Sequence, residues 1–248
     1  MNIQQKHVIA FATAFALMFG IVPNVAAMHI MEGYLPAGYC IAWGVLCLPF
    51  LAAGFFSIKK TLNGHRILIT LLAMSGAFVF VISSLKIPSV TGSCSHMTGT
   101  GLGAILFGPS AVSILGIIVL LFQAILLAHG GLTTIGANTF SMAIAGPFVT
   151  FAIYKVCQKC KVNKMVAIFL SATLGDLFTY CVTAVQMALA HHADTTILNA
   201  MGKFLLVFAP TQVPLAIIEG ILTVLIIMAL ETYAKPELRA IGFMKEAK

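Results

Sequence analysis

The sequence predicts an all-α integral membrane protein, a single bundle of about seven transmembrane helices. Composition is the first reason. Hydrophobic residues make up 60% of the chain and charged residues 8%, with a mean hydropathy of +1.04, whereas a soluble domain carries about 25% charge. The second is the long stretch from Ile87 to Tyr154, which contains no Asp, Glu, Lys or Arg. Third, the apolar runs lack the strict alternation of a membrane barrel. Backbone groups in hydrocarbon must pair within their own segment, so such runs read as helices.

Residues 1–27 have the parts of a cleaved secretory signal. Lys6 and His7 close a mildly basic start, and Val8 to Ile21 is apolar. That run stops short of the about 20 residues a span needs. Pro23 and Asn24 break it, and Val25, Ala26 and Ala27 are small enough for a signal peptidase to read. Cleavage after Ala27 makes Met28 a free amino terminus and His29 the second residue of the mature chain, leaving 28–248 as one transmembrane domain.

Apolar spans follow at roughly 38–58, 66–86, 110–129, 138–157, 165–190 and 203–233. Turn residues separate them: Asn63 and Gly64, His129 to Gly131, Gly136 to Asn138, and His191 to Asp194. The net charge of +7 comes from basic residues in short loops, the positive-inside pattern and not a nucleic-acid stripe. Lys59, Lys60 and Arg66 mark one cytoplasmic loop, Lys155, Lys159, Lys161 and Lys164 a second, and Lys235, Arg239, Lys245 and Lys248 a third. The spans above cannot put all of these on one side. A further crossing is needed between Lys86 and Pro109, so residues 88–108 are expected to cross as part extended loop, part short helix. Irregular backbone at membrane depth survives only inside protein or along a cavity, which places His96 within the bundle.

Two histidines then carry the chemistry. The Met28 amine, the amide nitrogen of His29 and its ring Nδ1 can close adjacent chelate rings, and His96 can add a fourth nitrogen. Co(II), Ni(II) and Cu(II) favour such donors; calcium and magnesium prefer oxygen, and Glu32 is the nearby carboxylate. A histidine taken alone more often anchors a loop; the adjoining terminus and the buried loop favour a ligand here. Ser95, Gln123 and Asn138 are candidates to support the ligands from behind; His129 and Thr139 can join them, and Gln123, His129, Asn138 and Thr139 can equally tie loops together. Asp176 and Glu219 are ionisable groups inside spans, and for Asp176 structural and functional roles stay open. His191 and His192 read as a solvated helix end.

Several classes are excluded or disfavoured. The chain has no Walker-type phosphate loop, no HExxH and no nucleophile elbow, so it is not expected to hydrolyse ATP or to be an enzyme. No prosthetic group is expected, and energy for any uphill transport must come from another subunit or an ion gradient. The 6 cysteines form no framework, and Cys157–Cys160 is a lone CxxC. A histidine-ligated membrane redox protein would need haem histidines facing each other within helices, whereas these lie at helix ends or outside spans.

The stretches Met28–Pro36, Ser93–Pro109 and Leu121–Met142 resemble the CbiM/NikM family over essentially the whole mature chain. Proteins of that family are substrate-capture (S) components of energy-coupling-factor transporters for cobalt or nickel. The resemblance implies a seven-helix bundle with the amino terminus tucked into the core and a metal site mapping onto Met28, His29 and His96. It also implies a CbiN-type small membrane subunit, a CbiQ-type coupling subunit and a CbiO-type ATPase. Co(II) import for cobalamin synthesis is the leading expectation and Ni(II) uptake the alternative. The setting is a bacterial or archaeal inner membrane, with the mature terminus outside and the carboxyl terminus cytoplasmic.

Overall fold

A computed structural model describes residues 29–63, 67–88, 94–192 and 195–244. The expected leader and Met28 lie outside the described residues. The long helices are α1 (Ala37–Leu62), α2 (Leu68–Ser84), α4 (Pro109–Leu127), α5 (Ile135–Lys159), α6 (Lys164–Ala190) and α7 (Ile197–Tyr233), and α8 (Lys235–Ala240) caps one end. All but α2 and α8 are long and apolar enough to cross a membrane, and α2 has 17 residues. Helices α1, α2, α4, α5 and α6 start and stop close to the hydropathy boundaries, because the apolar run itself defines a span. Helix α7 begins earlier than expected, at Ile197, and Gly136–Asn138, expected as a turn, are helical at the start of α5.

The remaining crossing is irregular. Ile87–Pro88 (β1) pairs antiparallel with Cys94–Ser95 (β2), and α3 (Thr100–Phe107) follows. Gly99 opens α3 at φ 69°, a left-handed conformation that costs other residues strain. Residues Thr100 to Leu106 are all buried, wedged among α2, α4, α5, α6 and α7. The protein is thus a multi-pass membrane protein in which this seventh element never meets lipid on its own.

Close helix approaches hold the bundle together, as expected where apolar contact gains nothing over lipid. A Cβ on Gly175 of α6 would lie 1.8 Å from Thr150 Oγ1 of α5, and one on Gly220 of α7 would lie 2.2 Å from Thr173 Oγ1 of α6. In α5, residues Thr139–Ala145 form a π-helical stretch just before Pro147, which has no N–H to close an α-helical bond.

The core divides along α6 and α7. At one end Ala167, Ile168, Ile227 and Leu230 pack with Leu102, Tyr154 and Leu238. At the other, Tyr180, Met187 and Phe208 pack with Ile30 and Leu35 from the amino-terminal segment. The basic loops gather at the first end. Lys60 lines a groove with Phe107 and Ile241, and Lys164 pairs with Glu231 and lies 4.2 Å over the Phe243 ring.

Candidate metal centre

The amino-terminal segment enters the bundle because Asn138 treats it as a neighbouring strand. The Ile30 N–H donates to Asn138 Oδ1 at 2.8 Å, and Asn138 Nδ2 donates back to the Ile30 carbonyl at 3.0 Å. The Thr134 hydroxyl donates to the same carbonyl at 2.6 Å. Ile30 is fully buried and His29 is 2% exposed. One turn outward, Glu32 accepts from the Thr133 N–H at 3.2 Å and from its hydroxyl at 2.5 Å. Those bonds hold the Glu32 carboxyl below its usual range. Gly131 is required opposite it, since a Cβ there would lie 2.6 Å from Glu32.

His96 reaches the same point from the irregular crossing. Its Nδ1 lies 2.9 Å from the Met97 carbonyl, which can only accept, so Nδ1 carries the proton and Nε2 keeps a lone pair. That Nε2 is 2.5 Å from His29 Nδ1. Imidazole nitrogens bind transition metals at about 2.0–2.1 Å, so cis ligands sit about 2.9 Å apart. A few tenths of an ångström of opening would convert this pair into two ligands of one ion.

A third imidazole completes the cluster. Helix α4 ends at Ala128 in the left-handed conformation (φ 47°), and the His129 N–H donates to the Gln123 carbonyl at 3.1 Å. This turn aims the His129 ring inward, with its centroid 4.4 Å from His29 and 4.9 Å from His96. The candidate ligand atoms of His29, His96 and His129 all lie within 4.8 Å of one another. Neither His129 ring nitrogen, nor His29 Nε2, has a hydrogen-bond partner among the described residues. Burial pushes His129 down to about 2 and His29 well below its usual value, and the neighbouring rings add to both shifts. Both rings are therefore neutral; His29 Nδ1 donates to His96 Nε2 here, and its proton moves off that nitrogen when both ligate one ion. Asn138, Ser141, Met142 and Thr179 close the cavity around His29 and His96.

The sequence candidates thus fall into groups. His29 and His96 meet, and Met28 lies outside the described residues. Asn138 stands beside them and fixes the segment that carries His29. Ser95 faces elsewhere, its hydroxyl 2.7 Å from that of Thr211. Gln123 donates to the Ser83 hydroxyl at 2.7 Å and serves the site through its backbone carbonyl. His129, expected either to support the ligands or to tie loops together, stands among the candidate ligands themselves; the signal for that is its position ahead of Gly130 and Gly131, which let the loop close on residues 29–32. His191 is exposed and its ring lies 4.5 Å from that of Tyr34. Cys157 and Cys160 are free thiols. Ring centroids 4.3–4.9 Å apart leave no room for a porphyrin between histidines, which removes the haem reading.

Residues 29–238 match the family described as "Cobalt uptake substrate-specific transmembrane region". The chain is 72% identical to the cobalt transport protein CbiM of Lachnoclostridium phytofermentans over 98% of both chains. It is 53% identical to that of Ruminiclostridium cellulolyticum over 96% of both. Among solved structures, a truncated transition metal transporter superposes with a TM-score of 0.74 at 27% identity, covering 83% of this chain and 99% of that one.

Proposed function

The chain belongs to the CbiM family of cobalt-uptake transmembrane proteins, and from that premise we propose that it is a substrate-capture component that binds Co(II) through the Met28 amine, the amide and ring nitrogens of His29, and His96. The observation that carries this reading is the buried approach of His29 Nδ1 to His96 Nε2, 2.5 Å apart. Three supports surround it. The donors within reach are nitrogens, which suit late first-row metals. Asn138 holds the segment one residue after His29 in a fixed register. The family match begins at His29, the second residue of the expected mature chain. Cleavage after Ala27 then creates a ligand as well as exporting the terminus.

The same donor set accommodates Ni(II), and the names of the relatives favour cobalt. His129 offers a further nitrogen to the same ion. The histidine end of the bundle faces outward, and the end that gathers the lysines and α8 faces the cytoplasm. Energy for uptake comes from CbiQ-type coupling and CbiO-type ATPase subunits with a CbiN-type partner, and the cobalt serves cobalamin synthesis.

Metal analysis of the purified mature protein, with amino-terminal sequencing of the same sample, tests the core of this. One equivalent of cobalt on a chain that begins at Met28 is the expected result. Normal cobalt retention by a chain with an extra residue ahead of Met28 would rule out the amine as a ligand.

A further inference from the structure

Beneath the loop that carries His96, two carboxyl groups from different helices meet in the bundle interior. Asp176 of α6 and Glu219 of α7 are 1% and 0% exposed, and one N–H, that of Thr98, reaches both, 2.6 Å from Glu219 Oε2 and 3.2 Å from Asp176 Oδ1. Two buried carboxyl oxygens that converge on one N–H are accommodated with one proton between them, so the pair carries a single negative charge.

The surrounding donors decide which member holds the proton. Glu219 accepts from the Thr98 N–H at 2.6 Å and from the Thr98 hydroxyl, which lies 2.9 and 3.1 Å from its two oxygens. Asp176 accepts the Gln212 amide on Oδ2 at 2.6 Å and has only a 3.2 Å contact from the Thr98 N–H on Oδ1. Donors converge on Glu219, as they do around an anion. Asp176 retains one acceptor oxygen for Gln212 and a second oxygen free to carry the shared proton. The pair also grips the ligand loop from both sides. Thr98 is two residues from His96, and Gln212 Nε2 bridges Asp176 to the His96 carbonyl at 3.2 Å.

We propose that Glu219 is an ionised positioning residue and Asp176 its protonated partner, together locking the His96 loop and supplying the counter-charge of the loaded site. The role rests on the metal-capture reading above. A divalent ion held by an amine, two imidazoles and an ionised amide carries one net positive charge, and one carboxylate beneath the loop neutralises it. Water cannot screen that charge in a buried site, so the balance must come from the protein.

The assignment predicts an asymmetry between the two acids. In Asp176→Asn the amide N–H replaces the acid O–H toward Glu219, while its carbonyl still accepts from Gln212. Glu219→Gln removes the charge and sets an amide donor against the N–H and hydroxyl of Thr98. In Co(II) titrations of the purified mature protein, Glu219→Gln and Asp176→Ala should each lose about 10–100-fold in affinity, and Asp176→Asn should restore what Asp176→Ala loses. Infrared difference spectra provide a readout that a merely structural role would not move: the carbonyl band of a protonated carboxylic acid should vanish in Asp176→Asn.

Wild-type affinity in Glu219→Gln, or a loss in Asp176→Asn equal to that of Asp176→Ala, would overturn the proposal. So would an acid band that persists in Asp176→Asn. A melting curve accompanies each variant; if Glu219→Gln does not fold, the Asp176 variants and the infrared band decide. If the wild-type protein retains no Co(II), the capture reading fails by itself, and the infrared spectra still decide where the proton lies.

Discussion

The protein buries two polar clusters a few residues apart, and they differ in how far their hydrogen bonds are satisfied. Around Asp176 and Glu219, every carboxyl oxygen has a donor. Around His29, His96 and His129, three ring nitrogens have no partner among the described residues. A buried polar atom left unpaired costs about 1–3 kcal/mol, so the fold bears most of that cost at the histidines and less at the acids, where the carboxyl oxygens are paired and Gln212 Oε1 is left over. Paired carboxyl groups behave as scaffold, because no lone pair converges there on an empty point. An unsatisfied cluster, in which three imidazoles each bring a ligand atom within 4.8 Å of the others, has its missing partner outside the chain. The acids hold the loop still while the rings stay available.

That contrast can be attacked by substitution, beginning where the effect should be greatest. His29→Ala or His96→Ala should lower Co(II) affinity by more than about 100-fold while leaving the melting temperature near wild type. Equilibrium dialysis with cobalt checks this, and near-normal retention by either variant would sink the nitrogen site. Asn138→Ala should follow, at about 10–100-fold. It removes both side-chain bonds to Ile30 and strands a buried N–H, worth about 1–3 kcal/mol. Here the melting temperature should fall along with the affinity.

His129→Leu sharpens the comparison further. It replaces unpaired nitrogens by carbon, so the empty protein should melt no lower than wild type, while cobalt affinity drops about tenfold. Destabilisation of the empty protein would show that the His129 nitrogens have partners after all. The smallest expected effect is the amine's own share of the pH dependence. Burial already keeps the His29 and His129 rings neutral, while loading the proposed site takes the proton of the His29 amide, which weakens binding about tenfold for each unit the pH falls. A protonated Met28 amine cannot ligate either, and it should add about a further fourfold loss from about pH 8 to pH 7 for an amine pKa of about 7.7–8.0. A loss over that interval no larger than the amide's share would argue against the amine.

Much of the fold could be read before any coordinates. Each long helix coincides with an apolar run, because a span is a local property of about 20 residues. The irregular crossing was legible by a different route. Charges on Lys59, Lys60, Lys164 and Lys235 required one more passage than the regular spans supplied, and the structure places β2 and α3 there. What the pattern did not show was how α3 is housed, since eight apolar residues look alike whether they face lipid or five other helices.

The site divides in the same way. The sequence by itself determined the membrane class, the number of passages and the two histidines most open to a metal, because these follow from composition, charge placement and motif. Tertiary structure alone decided that His129 joins them, that Ser95 and the Gln123 side chain do not, and that Glu219 sits in a nest of donors. The reason is physical. Whether a buried polar atom is satisfied depends on neighbours brought from 67 to 121 residues away along the chain, and no local pattern records which of those bonds are made.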